Sequence, residues 1–314
     1  MNREQLKKRI RGTPATLPTA FQDDMSIDLG TMASMTEWWM EQGLGTDVAA
    51  LKTTAAMGEG PDLTDDEWPQ VLRTVVNTAP SGATVICALK SKNTLHTIED
   101  AKRAQDLGAI GVQIELPFFH HSNQDDLVRH FSDISDAIDI GVMIYNTHWF
   151  CQNPTEEYMQ ASTMLRLKDA EHVVAIKWGL PAGEEYDQMR DFADIFNVID
   201  NTGVNKVRCH KNGGAGYISS LIAVYPRHDL EVFQLMEEGR YDEAQAKLDW
   251  AYGVVGDWHD KAKARSGGYR QGKAMLAAMG HPMGPPRPPT LPCDATEIAE
   301  ARILLEQLGW AKSS

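Results

Sequence analysis

The chain has 314 residues, of which 42% are apolar and 24% charged. That is enough for one large α/β domain or two ordinary ones. Its formal charge of −14 argues against a general affinity for nucleic acid, which needs a cationic surface, but leaves room for a local site for a small anion. No stretch approaches the apolar run of about 18 residues that a membrane span needs, and the basic start, Met1 to Gly12, lacks the apolar core of a signal peptide. Cys87, Cys151, Cys209 and Cys293 are scattered, without a Cys-x-x-Cys pair. Zinc-site spacing is absent, a disulfide framework is not expected, and a reduced cytoplasmic location is.

Short β-branched runs alternate with amphipathic stretches, the rhythm of βα units around a parallel sheet. Strands are predicted near Thr13–Thr19, Asp47–Thr53, Thr84–Ala88, Gly111–Leu116, Gly141–Tyr145, His172–Lys177, Asn197–Asp200 and Gly216–Ser219. The intervening helices fall over Leu29–Gln42, Thr64–Asn77, Thr97–Leu107, Asp125–Ala137, within Thr155–Leu165 and over Gly183–Phe192. Thr64 and Glu67 have capping-box spacing. Eight alternations point to a (β/α)8 barrel, residues 1–224, followed by a C-terminal helical extension, residues 225–314.

Active groups of such a barrel sit at the C-terminal ends of its strands. The fifth predicted strand ends in Tyr145 and the sixth, Val-Val-Ala-Ile-Lys, in Lys177. A lysine leaving the sheet after four apolar residues is partly desolvated. Its pKa falls and its amine becomes a nucleophile toward carbonyls. A tyrosine on the neighbouring strand is placed to relay protons. Position alone also fits a solvated strand-end lysine and a packed tyrosine with a wet hydroxyl.

The motifs Ile144-Tyr145-Asn146 and Val173 to Lys177 resemble the paired signatures of the dihydrodipicolinate synthase and N-acetylneuraminate lyase family. In the same order follow likenesses to its other parts: Thr13 to Phe21, Gly58-Glu59 with Leu63 to Glu67, Gly213 to Ser219, and Gly284 to Pro289. The resemblance covers nearly the whole chain. It implies class I aldolase chemistry without metal or organic cofactor. Lys177 forms an iminium with a 2-oxo acid, Tyr145 shuttles protons, and the backbone near Ile218 helps hold the keto acid. It also implies a homo-oligomer, a tetramer or dimer.

Three departures bear on the substrate. The family's carboxylate-binding loop, Gly-x-Thr-Gly-Glu, is replaced by Leu51 to Glu59. Counted from the strand, its hydroxyl residues are Thr53 and Thr54; counted back from Gly58-Glu59, Ala56 and Met57 stand there. Phe119 takes the place of the synthases' second tyrosine, and Phe150 falls near their carboxylate-binding arginine. Trp149 and Trp178 add to an aromatic mouth. Such a pocket resembles that of the family's hydratase-aldolases, which cleave aryl-substituted 2-oxo acids to an aldehyde and pyruvate. His120, His121 and His148 are candidates for the missing acid/base function, with surface or hydrogen-bonding roles as the plainer reading. Glu59 fits loop orientation better than catalysis. A Schiff-base aldolase or hydratase-aldolase therefore stands first, with His148 beside the loop and aromatic residues in the substrate pocket. A dehydratase or decarboxylase using the same lysine comes second. A non-catalytic small-molecule-binding barrel is the alternative from another class.

Overall fold

The computed structural model describes residues 1–267 and 269–311. Eight strands succeed one another in a single sheet: β1 (Ala15–Thr16), β2 (Leu51–Thr53), β3 (Val85–Leu89), β4 (Gly111–Glu115), β5 (Gly141–Tyr145), β6 (Val173–Trp178), β7 (Asn197–Asp200) and β8 (Gly216–Tyr217). From β3 to β8 every pairing is parallel. The sheet returns on itself where Gly12 bridges Gly216, with Tyr217 donating its N–H to the Gly12 carbonyl at 3.0 Å. The protein is a (β/α)8 barrel with additional C-terminal helices.

The chain groups into two compact units, each described by itself. The first holds residues 1–15, 45–52 and 80–219. It includes α1 (Arg3–Arg9), α4 (Thr94–Asp106), α5 (Gln124–Ala137), α6 (Ala161–Arg166) and α7 (Lys206–Lys211). Leu6 and Ile10, in and just after α1, pack with Ala50, Ile86, Met143, Val174 and Ala175. This core seals the N-terminal end of the strands. Small residues suit it: a Cβ on Gly111 would lie 2.9 Å from the Gly141 carbonyl oxygen, and one on Gly141 would displace the Ile10 Cδ1 methyl.

The second unit holds 16–44, 53–79 and 220–314. Its helices are α2 (Leu29–Glu41), α3 (Trp68–Thr78), α8 (Pro226–Glu237), α9 (Tyr241–Arg265), α10 (Arg270–Ala278) and α11 (Ala295–Gln307). Arg270 is fully buried among the last three. Its guanidinium donates to the carbonyls of Ala262, Leu291 and Pro292 and to both oxygens of Glu297. Arg287, from the Gly-Pro-Pro-Arg-Pro-Pro stretch, ties Glu67 to the carbonyls of Met25 and Asp62. That motif is thus a structural clamp.

Most predicted elements hold to within a few residues, and β5 and β7 fall on their predicted limits. Helix α1 and helix α7 were not anticipated. The segment expected as a helix over Gly183–Phe192 is a 3-10 turn, Tyr186–Asp191. Helix α3 begins at Trp68 rather than Thr64. Thr64 does donate its N–H to Glu67 at 2.8 Å. The residues between form a turn, and Pro69 takes the helix's first turn, where its missing N–H costs nothing.

Candidate active site

Four apolar residues carry β6 through the barrel wall before Lys177, whose side chain is 5% exposed. Register places Lys177 opposite Tyr145 of β5, and Tyr145 opposite Glu115 of β4. The Lys177 amine lies 3.4 Å from the centroid of the Tyr145 ring. Its pKa is held well below that of an ordinary lysine, chiefly by burial and further by the charge of Lys52, with Glu115 pulling the other way. A lowered pKa raises the share of neutral amine, the form a carbonyl nucleophile needs. The pair singled out from the strand ends thus comes together.

Two charged partners were missed. Lys52, from β2, is wholly buried, and its amine has no hydrogen-bond partner among the described residues. Burial brings its pKa down to about 7. Glu115, at the end of β4, is pushed up from the usual carboxylate range by burial, an effect that Lys177 opposes. The signal for Lys52 was on the page: Val48-Ala49-Ala50-Leu51-Lys52 follows the same pattern, an apolar run ending in lysine, that picked out Lys177.

Beyond Tyr145 the chain is held by Asn146. Its side-chain amide donates to the carbonyls of Met159 and Gly179, and its oxygen accepts from the Met159 N–H. The 3-10 turn His148–Phe150 follows. It begins a connected aromatic run. Tyr145 meets Trp149 at 5.6 Å, Trp149 meets Phe150 at 6.1 Å, Phe150 meets Phe118 at 5.1 Å, and Phe118 meets Phe119 at 4.5 Å between ring centroids. Phe119 is 75% exposed and Phe150 52% exposed, so much of this surface is open. Trp178 is not part of it. Its side chain is buried against Phe192 and donates to the Tyr186 carbonyl, because the residue after Lys177 faces the opposite side of the strand.

His148 packs edge-on against Trp149, with its ring near the backbone of Asn146 and Gly179. Burial lowers its pKa, so it is neutral at neutral pH. His121 is ion-paired with Glu157 at 3.4 Å, and His120 is exposed. Ile218 follows β8, with its N–H donated to the Asp200 carbonyl at 2.8 Å.

The altered loop after β2 has a definite form. Thr53 ends the strand and Thr54 follows in a left-handed conformation, φ 58°. The inserted residues make a 3-10 turn, Ala56–Gly58, in which Met57 is half-buried. The hydroxyl pair therefore stands at the strand end, and Gly58-Glu59 lies one turn later. The N–H groups of Gly58 and Gly60 both go to the Ala55 carbonyl, and that of Glu59 goes to Ala56. Gly60 approaches the Thr54 carbonyl so closely that any Cβ there would collide with it. Glu59 is buried and ion-paired with Lys273 at 2.8 Å.

Among the described residues no group of three or more His, Cys, Asp or Glu side chains is placed to share a metal ion. No helix among them is long and apolar enough to cross a membrane. The sequence profile of the dihydrodipicolinate synthetase family matches residues 9–308. A 4-hydroxy-tetrahydrodipicolinate synthase of Acidothermus cellulolyticus is 27% identical over 302 residues, covering 94% of this chain and 91% of that protein. One from an Exiguobacterium species is 28% identical over 296 residues, with 93% and 95% covered. The crystal structure of dihydrodipicolinate synthase from Aquifex aeolicus superimposes with a TM-score of 0.81 at 20% identity, covering 97% of this chain and all of that one. The chain belongs to the dihydrodipicolinate synthetase family and is a lyase of that family.

Proposed function

We propose that the enzyme works through a Schiff base on Lys177, acting on a 2-oxo acid with an apolar, aromatic arm and releasing or using pyruvate. The observation that carries this is the buried amine of Lys177 above the Tyr145 ring, with Glu115 as the neighbouring carboxylate. The neutral amine adds to the ketone carbon. One proton is taken up, the former carbonyl oxygen leaves as water, and an iminium remains. With an arylidene substrate, water first adds across the double bond conjugated with the iminium and supplies a hydroxyl on the arm. In cleavage the carbon–carbon bonding pair then flows into the iminium and leaves an enamine, while that hydroxyl gives up its proton and the departing fragment becomes an aldehyde. Protonation of the enamine carbon and hydrolysis then return pyruvate and the free amine.

Tyr145 is the relay in this scheme, since its ring is held against the amine and Phe119 has no proton to pass. Tyr145→Phe should fold normally and turn over about 10²–10⁴-fold more slowly, the range of a positioned acid/base. Steady-state kinetics with matched thermal melts check it. A loss smaller than about threefold gives the role to another group, His148 or Glu115.

The aromatic run from Tyr145 to Phe119 supports the substrate arm. An aryl ring seated there gains about 25 cal/mol for each Å² of apolar surface buried. A second carboxylate at the same place would sit in apolar surroundings without the arginine that Phe150 replaces, at a cost of several kcal/mol. An arylidene pyruvate should therefore exceed both a deoxy sugar acid and aspartate semialdehyde plus pyruvate by roughly 10²-fold or more in kcat/KM. Faster turnover of either competitor than of every aryl compound would reduce those rings to packing.

A further inference from the structure

We propose that Lys52 is the cation that binds the carboxylate of the 2-oxo acid while Lys177 takes its ketone. This inference rests on the Schiff-base reading above. Lys52 is 0% exposed, and its amine has no hydrogen-bond partner among the described residues. A buried ammonium without a partner is among the costlier arrangements a protein can hold, and its usual resolution is an anion. Glu115 does not fill that place, since no hydrogen bond joins it to the Lys52 amine. An acid brought in from outside would supply that partner, near an amine of Lys177 that feels the charge of Lys52.

Two further observations agree. The loop after β2 spends its amides internally: Gly58, Glu59 and Gly60 all donate to Ala55 or Ala56. Glu59, the carboxylate of that turn, is taken by Lys273. That turn has no spare N–H at those three positions with which to hold an anion. Charge balance gives the second. In the covalent adduct of a 2-oxo acid the iminium and Lys52 are positive, while Glu115 and the substrate carboxylate are negative. The buried set then sums to zero. Without Lys52 it carries a net negative charge in a site screened from water, which disfavours the acid, whereas the adduct of an uncharged ketone goes from one net positive charge to none and is not disfavoured.

The discriminating pair of probes is pyruvate and methyl pyruvate, which share the ketone and differ in the charge. Borohydride trapping with intact-mass detection gives the half-saturating concentration of each. It is run at several pH values on the native protein, Lys52→Met and Lys52→Gln. The native protein should trap pyruvate at a concentration at least about tenfold below that of methyl pyruvate. In both variants the value for pyruvate should rise by roughly 30-fold or more, while that for methyl pyruvate moves less than about threefold once the pH optimum is matched. Each tenfold step corresponds to about 1.4 kcal/mol. Equal changes for the two probes would make Lys52 an influence on Lys177 alone, and unchanged pyruvate trapping would leave it no part in binding; either result overturns the assignment. Failure of the native protein to trap either carbonyl on Lys177 overturns the Schiff-base reading itself, and the anchor with it.

Discussion

Lys177→Arg loses covalent trapping of pyruvate completely, and turnover falls by roughly a thousandfold or more, as when an enzyme loses its covalent nucleophile. The substitution is chosen because it separates charge from nucleophilicity. A guanidinium stays protonated throughout the accessible pH range and offers no lone pair to a carbonyl carbon. The native lysine has the opposite character. Burial and the charge of Lys52 press its pKa down, so that more of the amine is neutral than in an ordinary lysine. The arginine variant keeps a cation beside Tyr145 and should still hold a 2-oxo acid non-covalently. Calorimetry with pyruvate tests that half of the expectation, and mass analysis after borohydride tests the other. A variant that turns over at the native rate would remove Lys177 from the chemistry.

The barrel was legible because its strands are short, apolar and regularly spaced, and because parallel strands buried on both faces read as continuous hydrophobic runs. Val173 to Trp178 and Gly141 to Tyr145 are both buried along their whole length. Helix α1 was not legible by that route, since only Leu6 within it is buried and the rest reads as a basic, solvated tail. Its capping box, Asn2 with Gln5, was the available signal. The turn at Tyr186–Asp191 misled because its burial pattern mimics helical spacing, whereas Tyr186 is fixed by its hydroxyl donating to Asp200 at 2.9 Å.

The site divides in the same way. Lys177 and Tyr145 were found because strand ends carry chemistry in this architecture, and register then sets them opposite each other. Glu115 and Lys52 were passed over because a charged residue at a strand end reads as solvated until its burial is known. The β2 loop could be counted two ways because an insertion has no address in a single sequence. The fold places it as one extra 3-10 turn between Thr54 and Glu59. Trp178 was grouped with the mouth by its proximity to Lys177 along the chain. The alternation of a strand sends adjacent side chains to opposite faces, and that overrides sequence proximity.

Lys52→Met should raise the stability of the unliganded protein near neutral pH by up to about 5 kcal/mol, more than a thousandfold in the folding equilibrium. The figure is the cost of moving the lysine pKa from 10.5 to about 7, at about 1.4 kcal/mol for each unit. The sign follows from proton counting. In the unfolded chain the amine keeps its proton until the pH approaches 10.5; in the folded one it surrenders it above about 7. Between those values the unfolded state binds more protons, so the native protein gains stability as pH rises and bears the full penalty below about pH 7. Methionine has similar length and no charge, and suits a wholly buried position. Denaturant titrations of the two proteins from pH 6 to pH 10 should show the variant ahead at the acid end and the gap closing toward the alkaline end. Saturating pyruvate should narrow the gap at neutral pH, because the bound carboxylate gives the native ammonium its partner. A variant less stable than the native protein at every pH would mean that Lys52 already has a counter-charge in the unliganded fold. A residue that costs this much in the empty barrel and is repaid only by an acidic ligand belongs to binding, and stability measured with and without pyruvate separates the two states.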